Sequence, residues 1–421
     1  MENLLKFITE HADDDVSRLI LDRMKFPDID IECAVNSIES RRKLKGKVQE
    51  WYNETKLIFP LKLSAEQCSS SATGKYKAEL AERIASESPD QQKSVRNAST
   101  KWTIADLTGG LGVDSWFFSQ KAGTVFYNEM QEVLCKAAAH NFKVLGADNI
   151  LISNHFVESG NCLDFISHDK QIDLVYSDPA RRSESGKKVF LIEDCTPDVL
   201  TLKDEIFSRC RHFLIKLSPM ADISMVCDRL GKTCREIHVV ASGGECKELL
   251  IWMDREWMDE YTVIAVELQR DGSATSFSFM MSEEKDAIYS QATYENTEEL
   301  YLFEPGKSLM KAGAFNLIAQ RFGIQKLGRS THYYLTDSKN KAEALKQHGK
   351  VFSIIESLPL DKRSMKETRK KYPKAEVTAR NIPMDTDTFR KRLGVSSGND
   401  IHIFGIKSDR SGNQLLITER F

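Results

Sequence analysis

The chain has 421 residues, 29% of them charged and 41% hydrophobic, and a formal net charge of -3. Those fractions are ordinary for a soluble protein, the small net charge excludes nothing about partners by itself, and the length suits roughly two or three domains with their own cores. The nine cysteines contain no C-x-x-C pair and no zinc-spaced His/Cys cluster, which argues against a disulfide framework and a structural metal site.

No apolar run approaches the roughly 18 residues of a membrane span. Met1-Glu2-Asn3 opens directly into a charged, amphipathic helix pattern. The expectation is a reduced cytoplasmic protein with no metal and no membrane partner. Charge is unevenly spread. Residues 306–410 hold 22 Lys+Arg against 10 Asp+Glu, a net of +12, so the remainder carries -15. A basic tail of this kind either meets a polyanion or is a solvated lysine-rich surface.

Residues 1–100 read as helical, with Leu4, Leu5 and Ile8 at helix spacing and a strong helix former over residues 78–85. The polar patch at residues 63–73 includes Gln67, Ser69, Ser70 and Thr73. It reads either as a helix cap or as a lid over a ligand. Residues 86–100 read as a linker.

Strand and helix patterns then alternate. Strands are expected at 103–107, 124–127, 150–153, 172–177, 212–217, 236–241 and 247–253, with helical stretches separating the first six. That alternation implies a parallel sheet covered by helices. Only Ser242-Gly243-Gly244-Glu245-Cys246 joins the last two strands. A link so short makes a hairpin and reverses the seventh strand. Beyond residue 261 short strands and helices mix, with a helix expected at 309–322 and two small units split near Ser357-Leu358-Pro359.

Four places carry chemistry. Asp106-Leu107-Thr108-Gly109-Gly110-Leu111-Gly112 follows the first strand and opens a helix, the turn that lets backbone approach a nucleotide. Glu129 stands at the end of the second strand, 23 positions after Asp106, where a carboxylate accepts ribose hydroxyls. Asp178-Pro179-Ala180-Arg181-Arg182 ends the fourth strand, where open α/β sheets hold their ligands. There Asp178 is placed to accept a proton and the arginines to bind phosphate. After the third strand, Asn161 and Cys162 offer either an adenine edge or a simple Gly-Asn turn.

Taken together, these residues resemble a class I S-adenosylmethionine-dependent methyltransferase. The resemblance covers residues 100–255. More narrowly, the whole chain resembles the bacterial THUMP-like-domain methyltransferases, through residues 63–76, Asp106 to Gly112, Ser177 to Arg182, Glu193-Asp194-Cys195, Lys216-Leu217-Ser218-Pro219, residues 245–249 and Ala379-Arg380-Asn381. It implies an α/β fold: a seven-stranded Rossmann-like sheet with a reversed last strand, a helical N-terminal region, and α+β C-terminal domains, one ferredoxin-like and one THUMP-like. The implied boundaries are 1–100, 101–260, 261–350 and 351–421.

The implied cofactor is S-adenosylmethionine, held by Asp106, Thr108, Gly110, Gly112, Glu129, Asn161, Cys162 and Asp178. Asp178, Pro179 and Arg181 would face the reaction, and Arg181, Arg182, Glu193 and Asp194 the substrate. The implied substrate is a base in RNA. A small-molecule or protein methyltransferase, and an RNA-binding protein with a vestigial methylase domain, stay open as alternatives. Thr108 departs from the commonest loop, which has glycine there. Ala180 and Arg181 depart from the aromatic pattern of amine methylases. Cys195 reads as a buried structural thiol, with a nucleophile as the alternative. Ser115 stands where a dinucleotide fingerprint has its third glycine, which argues against a dehydrogenase. In the tail, Gly328 to Tyr334 and Lys362 to Tyr372 put cations beside aromatics, a mixture that can hold phosphates and bases.

Overall fold

A computed structural model describes residues 2–87, 101–181, 192–269, 271–292, 299–398 and 400–421. Most of the expected linker, Arg182, and the Arg181 side chain lie outside what it describes. The chain forms two compact units, residues 1–237 with 248–260, and 238–247 with 261–421.

In the first unit, the strands are β1 (Thr103–Asp106), β2 (Thr124–Asn128), β3 (Ile150–Ser153), β4 (Leu174–Ser177), a two-residue pair β5 (Ala180–Arg181) and β6 (Cys195–Thr196), β7 (His212–Leu217), β8 (Cys234–Ser242) and β9 (Glu245–Asp254). The main sheet runs β3-β2-β1-β4-β7-β9-β8. β1 pairs parallel with β2 and β4, β2 with β3, and β4 with β7. β9 runs antiparallel to β7. The reversed strand therefore lies inside the sheet, between β7 and β8. Gly243 and Gly244, both at positive φ, make the turn that returns it. β4 is buried at every position, the pattern of a strand covered on both faces.

Helices Val113–Ser119, Glu132–Val144, Val199–Arg209 and Ile223–Leu230 fill four of the expected crossovers. The stretch between β3 and β4 differs. It is turns and extended chain, because Gly160, Asn161 and the Asp169-Lys170 pair break any helical period.

The N-terminal helices belong to this same unit. Phe7, Ile8, Leu19, Ile31, Ala34, Val35 and Ile38 form a small core of their own. Asn141, on a sheet-covering helix, ties the region down by accepting from the Ile58 N–H and donating to the Ile58 carbonyl. The Ser71–Ser86 helix begins in a capping box built by Ser70 and Thr73, which accounts for those two residues of the polar patch.

In the second unit the hairpin tip, His238–Lys247, is followed in sheet order by β10 (Thr262–Leu268) and β11 (Ala274–Met280), so the sheet counts nine strands where seven are expected. A separate seven-stranded sheet runs β13-β14-β12-β15-β18-β17-β16. Its strands are β12 (Tyr301–Pro305), β13 (Gln325–Lys326), β14 (Tyr334–Thr336), β15 (Gly349–Pro359), β16 (Glu376–Arg380), β17 (Ile401–Ser408) and β18 (Gly412–Arg420). β15 passes unbroken through Ser357 and Leu358 and pairs with β18 as far as Pro359, so no split falls there. The helix expected at 309–322 is two helices, Lys307–Ala312 and Leu317–Phe322. Gly313, at φ 85, ends the first. Glu284 accepts from the Asn316 and Leu317 N–H groups that open the second.

Candidate functional site

The carboxyl ends of β1, β2 and β4 meet at one cavity. Asp106, Thr108, Gly110, Gly112, Glu129 and Asp178 all line it. It encloses about 1040 Å³ of empty space including its open mouth, room for a nucleoside-sized ligand and part of a second molecule.

The glycine turn packs closely against two rings, Phe142 and Tyr127. Gly112 sits at φ 93, and a Cβ there would come within 2.6 Å of the Phe142 ring. Gly110 adopts φ 53, and a Cβ there would meet only the Thr108 carbonyl oxygen, at 3.8 Å. Gly109, which sequence reasoning did not single out, lies flat on Tyr127. A Cβ at Gly109 would stand 2.1 Å from that ring. The Tyr127 hydroxyl donates to the Gly110 carbonyl at 2.7 Å, so the ring sets the height of the turn.

Asp106 organises the loop's start. It accepts from the Thr108 N–H at 3.1 Å and from the Ser115 hydroxyl at 2.6 Å. Ser115, the residue that breaks the dinucleotide fingerprint, thus anchors Asp106. Burial pushes the Asp106 carboxyl up to about 7; Ser115 and Thr108 oppose the rise, and Asp114 and Asp178 add to it. Thr108 has its own task. Its hydroxyl accepts from the Asp178 N–H at 2.6 Å, tying the turn to the fourth-strand loop. A glycine there would lose that tie.

Glu129 is 6% exposed and accepts from the Gly110 N–H at 2.9 Å and the Gln131 N–H at 2.8 Å. Beside it Met130, Leu134, Phe156 and Val157 make an apolar wall. From the N-terminal region Ser64, Gln67, Cys68 and Ser69 close another side. Burial pushes the Cys68 thiol up to about 11, so it stays protonated near neutral pH.

Other expected residues lie elsewhere. Asn161 and Cys162 do not line the cavity. The Gly160 and Cys162 N–H groups both donate to Glu205 on the Val199–Arg209 helix at 2.7 Å, and the Asn161 side chain accepts from the Glu158 N–H, so these polar groups are already used away from the cavity. Glu193 pairs with Arg229 at 2.9 Å. Asp194 ends a short 3-10 turn, and neither acid reaches the cavity lining. Cys195 is fully buried. Thr196 and Pro197, just after it, do line the cavity, as does Ala180.

Sequence reasoning missed a buried ionic cluster beside the site. Lys77, fully buried, lies 3.0 Å from Glu248 and 3.2 Å from Asp114 and donates to Ser69 at 2.6 Å. Tyr176 and Ser69 donate to Asp114 at 2.9 and 3.0 Å. Lys216 donates to Asp178. Burial raises the Asp114 carboxyl, but Lys77 and then Lys216 outweigh it and hold it below its ordinary value. Burial wins at Glu248, which is raised despite the same two lysines. Among the described residues no cluster of His, Cys, Asp and Glu could hold a metal ion, and no helix is long and apolar enough to cross a membrane.

With this geometry in hand, the comparisons show what the chain is similar to. The chain is similar over 99% of its length, at 28% identity and a TM-score of 0.83, to a candidate methyltransferase from Porphyromonas gingivalis W83, covering 97% of that protein. A ferredoxin-like domain profile matches residues 301–342, and a THUMP domain-like profile matches residues 349–420. The chain is a class I methyltransferase with a THUMP-like domain. An rRNA methylase from Streptococcus thermophilus aligns more weakly, at 13% identity over 42% of this chain and 93% of that one, with a TM-score of 0.30. No curated protein matches by sequence.

Methyltransferases of this class take their methyl group from S-adenosylmethionine, and the cradle fits that donor. Gly110 leaves the turn open where backbone must approach a ligand. A carboxylate stands at the end of β2, an apolar wall lies beside it, and the cavity continues to Asp178.

Proposed function

We propose that this methyltransferase acts on RNA and that its cofactor lies across the ends of β1 and β2. Glu129 holds the ribose hydroxyls, and Met130, Leu134, Phe156 and Val157 face the adenine. Thr108, Gly110 and Gly112 take the methionine end, with Asp106 pinning the turn. Asp178 faces the acceptor, with Pro179, buried and outside the lining, stiffening the backbone behind it and Arg181 and Arg182 meant for its phosphates. The observation that carries the reading is the convergence of Asp106, Gly110, Gly112, Glu129 and Asp178 on one cavity.

The RNA part rests on the basic second unit. Helices Lys362–Lys371 and Thr386–Leu393 pack together, and Lys362, Lys366, Arg369, Lys370, Lys391 and Arg392 are exposed on them. Tyr333 and Tyr334 do not join this surface. They are 1% and 0% exposed and belong to the core, so no base can stack on them. The surface offers phosphate contacts rather than stacking. Changing Lys366, Arg369 and Lys370 together to alanine is expected to weaken RNA binding and to lower the slope of log affinity against log salt by about two, at roughly 0.7 per contact. Binding of S-adenosylhomocysteine should not change. Filter binding at several salt concentrations reads the slope, and an unchanged slope removes this surface from the account.

Asp106 makes cofactor binding depend on pH. S-adenosylmethionine brings a sulfonium and an ammonium close to a carboxyl that titrates near 7 in the free protein. Binding favours the ionised form, so affinity is expected to rise about tenfold between pH 6 and pH 8 and to level off above. In the free protein the same raised value costs stability as pH climbs from the ordinary carboxylate range through 7. Calorimetry across that range checks the rise, and Asp106→Asn should flatten it.

The decisive biological test compares modified nucleosides by mass spectrometry in RNA from cells with and without the gene. Loss of one methylated nucleoside supports the proposal. An unchanged profile turns the reading towards a small molecule or a protein as acceptor.

A further inference from the structure

Asp178, on the cavity wall, is backed by a buried ionic cluster. Lys216 lies on β7, the strand beside β4, and its ammonium is bonded to the Asp178 carboxylate. Glu248 lies on β9, the next strand over, one residue from the Leu217–Leu249 pair. Lys77 comes in from the Ser71–Ser86 helix and meets Glu248. The cluster spans the ends of three adjacent strands. Its exposure is graded: Lys77 and Glu248 are 0% and 3% exposed, Lys216 14% and Asp178 36%. The inner pair is sealed; Asp178 lines the cavity, and Lys216, largely buried, stands behind it and is bonded to it.

The charges discriminate between acceptors. Within the cluster, Lys77 and Lys216 stand against Asp114, Asp178 and Glu248, leaving one net negative charge. A lysine beside the acceptor suits one class of atom. When a neutral amine attacks the methyl group, positive charge grows on nitrogen, and a neighbouring ammonium opposes it. When a hydroxyl attacks and loses its proton, negative charge grows on oxygen, and the ammonium stabilises it. Two other acceptor chemistries lack their parts among the described residues. The position after Pro179 is Ala180, so no ring follows Asp178-Pro179 to stack a flipped base. A carbon acceptor would need a thiolate, and the cysteine on the cavity wall, Cys68, stays protonated.

We propose that the acceptor is a ribose 2′-hydroxyl in RNA, seated against the Asp178 carboxylate and the Lys216 ammonium bonded to it. The proposal rests on the RNA reading above and changes the acceptor atom from a base to a sugar oxygen. The hydroxyl oxygen forms a bond to the methyl carbon as the carbon–sulfur bond breaks. The electron pair of that bond stays on sulfur, giving neutral S-adenosylhomocysteine. The hydroxyl proton passes to Asp178 and from there to solvent. Lys216 holds the oxygen while its charge grows. Glu248 and Lys77 are positioning residues that keep Lys216 charged and fixed.

The test uses the full-length protein, tritium-labelled S-adenosylmethionine and total RNA from cells lacking the gene, followed by alkaline hydrolysis. Alkali cleaves RNA through the 2′-oxygen, so a methyl group there protects the linkage and label emerges in dinucleotides. A methylated base emerges in mononucleotides. We expect dinucleotide label. Lys216→Met should cut it by about 100-fold or more, the scale of losing one charge-stabilising donor. S-adenosylhomocysteine affinity should stay within about threefold, because Lys216 touches the acceptor and not the cofactor. Lys216→Arg should restore part of the label. Mononucleotide label overturns the sugar acceptor and leaves the RNA reading standing. No label in any RNA, with S-adenosylhomocysteine still bound, overturns both. Dinucleotide label that survives Lys216→Met overturns the role of Lys216.

Discussion

Lys77→Met is expected to be among the most destabilising single changes in the first unit. The side chain is fully buried and serves two carboxylates, Glu248 at 3.0 Å and Asp114 at 3.2 Å. Methionine fills much the same volume but leaves both acids buried without their cation. Breaking a buried pair from one side costs about 3–5 kcal/mol, far more than the net worth of the intact pair. For a unit of this size that is a fall in melting temperature of roughly 10 °C. Thermal unfolding followed by circular dichroism reads it. Glu248→Gln in the Lys77→Met background should cost less than in the parent protein, because the uncompensated charge is then gone. If the two changes simply add, Lys77 and Glu248 are not coupled and the cluster is mis-described.

Glu129→Ala is expected to have the largest effect on cofactor binding. The carboxylate already accepts from Gly110 and Gln131, so it shapes the loop as well as offering oxygens to a ribose. Charge-assisted hydrogen bonds contribute about 1.5–3 kcal/mol each. Losing two therefore weakens S-adenosylhomocysteine binding by at least about 100-fold. Glu129→Gln keeps one carbonyl oxygen and should fall between. The shift in melting temperature on adding S-adenosylhomocysteine reports all three proteins side by side. An alanine variant stabilised as much as the parent would remove Glu129 from the cofactor site.

Much of the sheet was legible because its signals are local. Apolar runs bounded by turn residues gave the bounds of Ile150–Ser153 and His212–Leu217, and the double glycine at 243–244 gave the reversal. The cofactor turn was legible for the same reason, as strand, acid, glycines and helix follow one another without a gap. Features set by distant partners were not. Lys77 sits in a stretch that reads as ordinary helix, and its partner Glu248 lies 171 positions away. Nothing in helical periodicity marks such a residue as buried and paired. Asn161 and Cys162 misled because Glu205, on a later helix, takes up the amides of their turn. Tyr333 and Tyr334 misled because aromatics beside cations look alike whether they face a nucleic acid or a core. Gly313 broke an expected helix that its apolar period alone would have continued.

The central claim is that the turn from Asp106 to Gly112, with Glu129 and Asp178, holds S-adenosylmethionine in position for transfer. A crystal structure of the protein grown with S-adenosylhomocysteine tests it most directly. The account predicts the ribose hydroxyls on the Glu129 carboxylate, the adenine against Met130 and Phe156, and the sulfur facing Asp178. Density for the ligand anywhere else on the chain, with Glu129 still bonded only to Gly110 and Gln131, would contradict it.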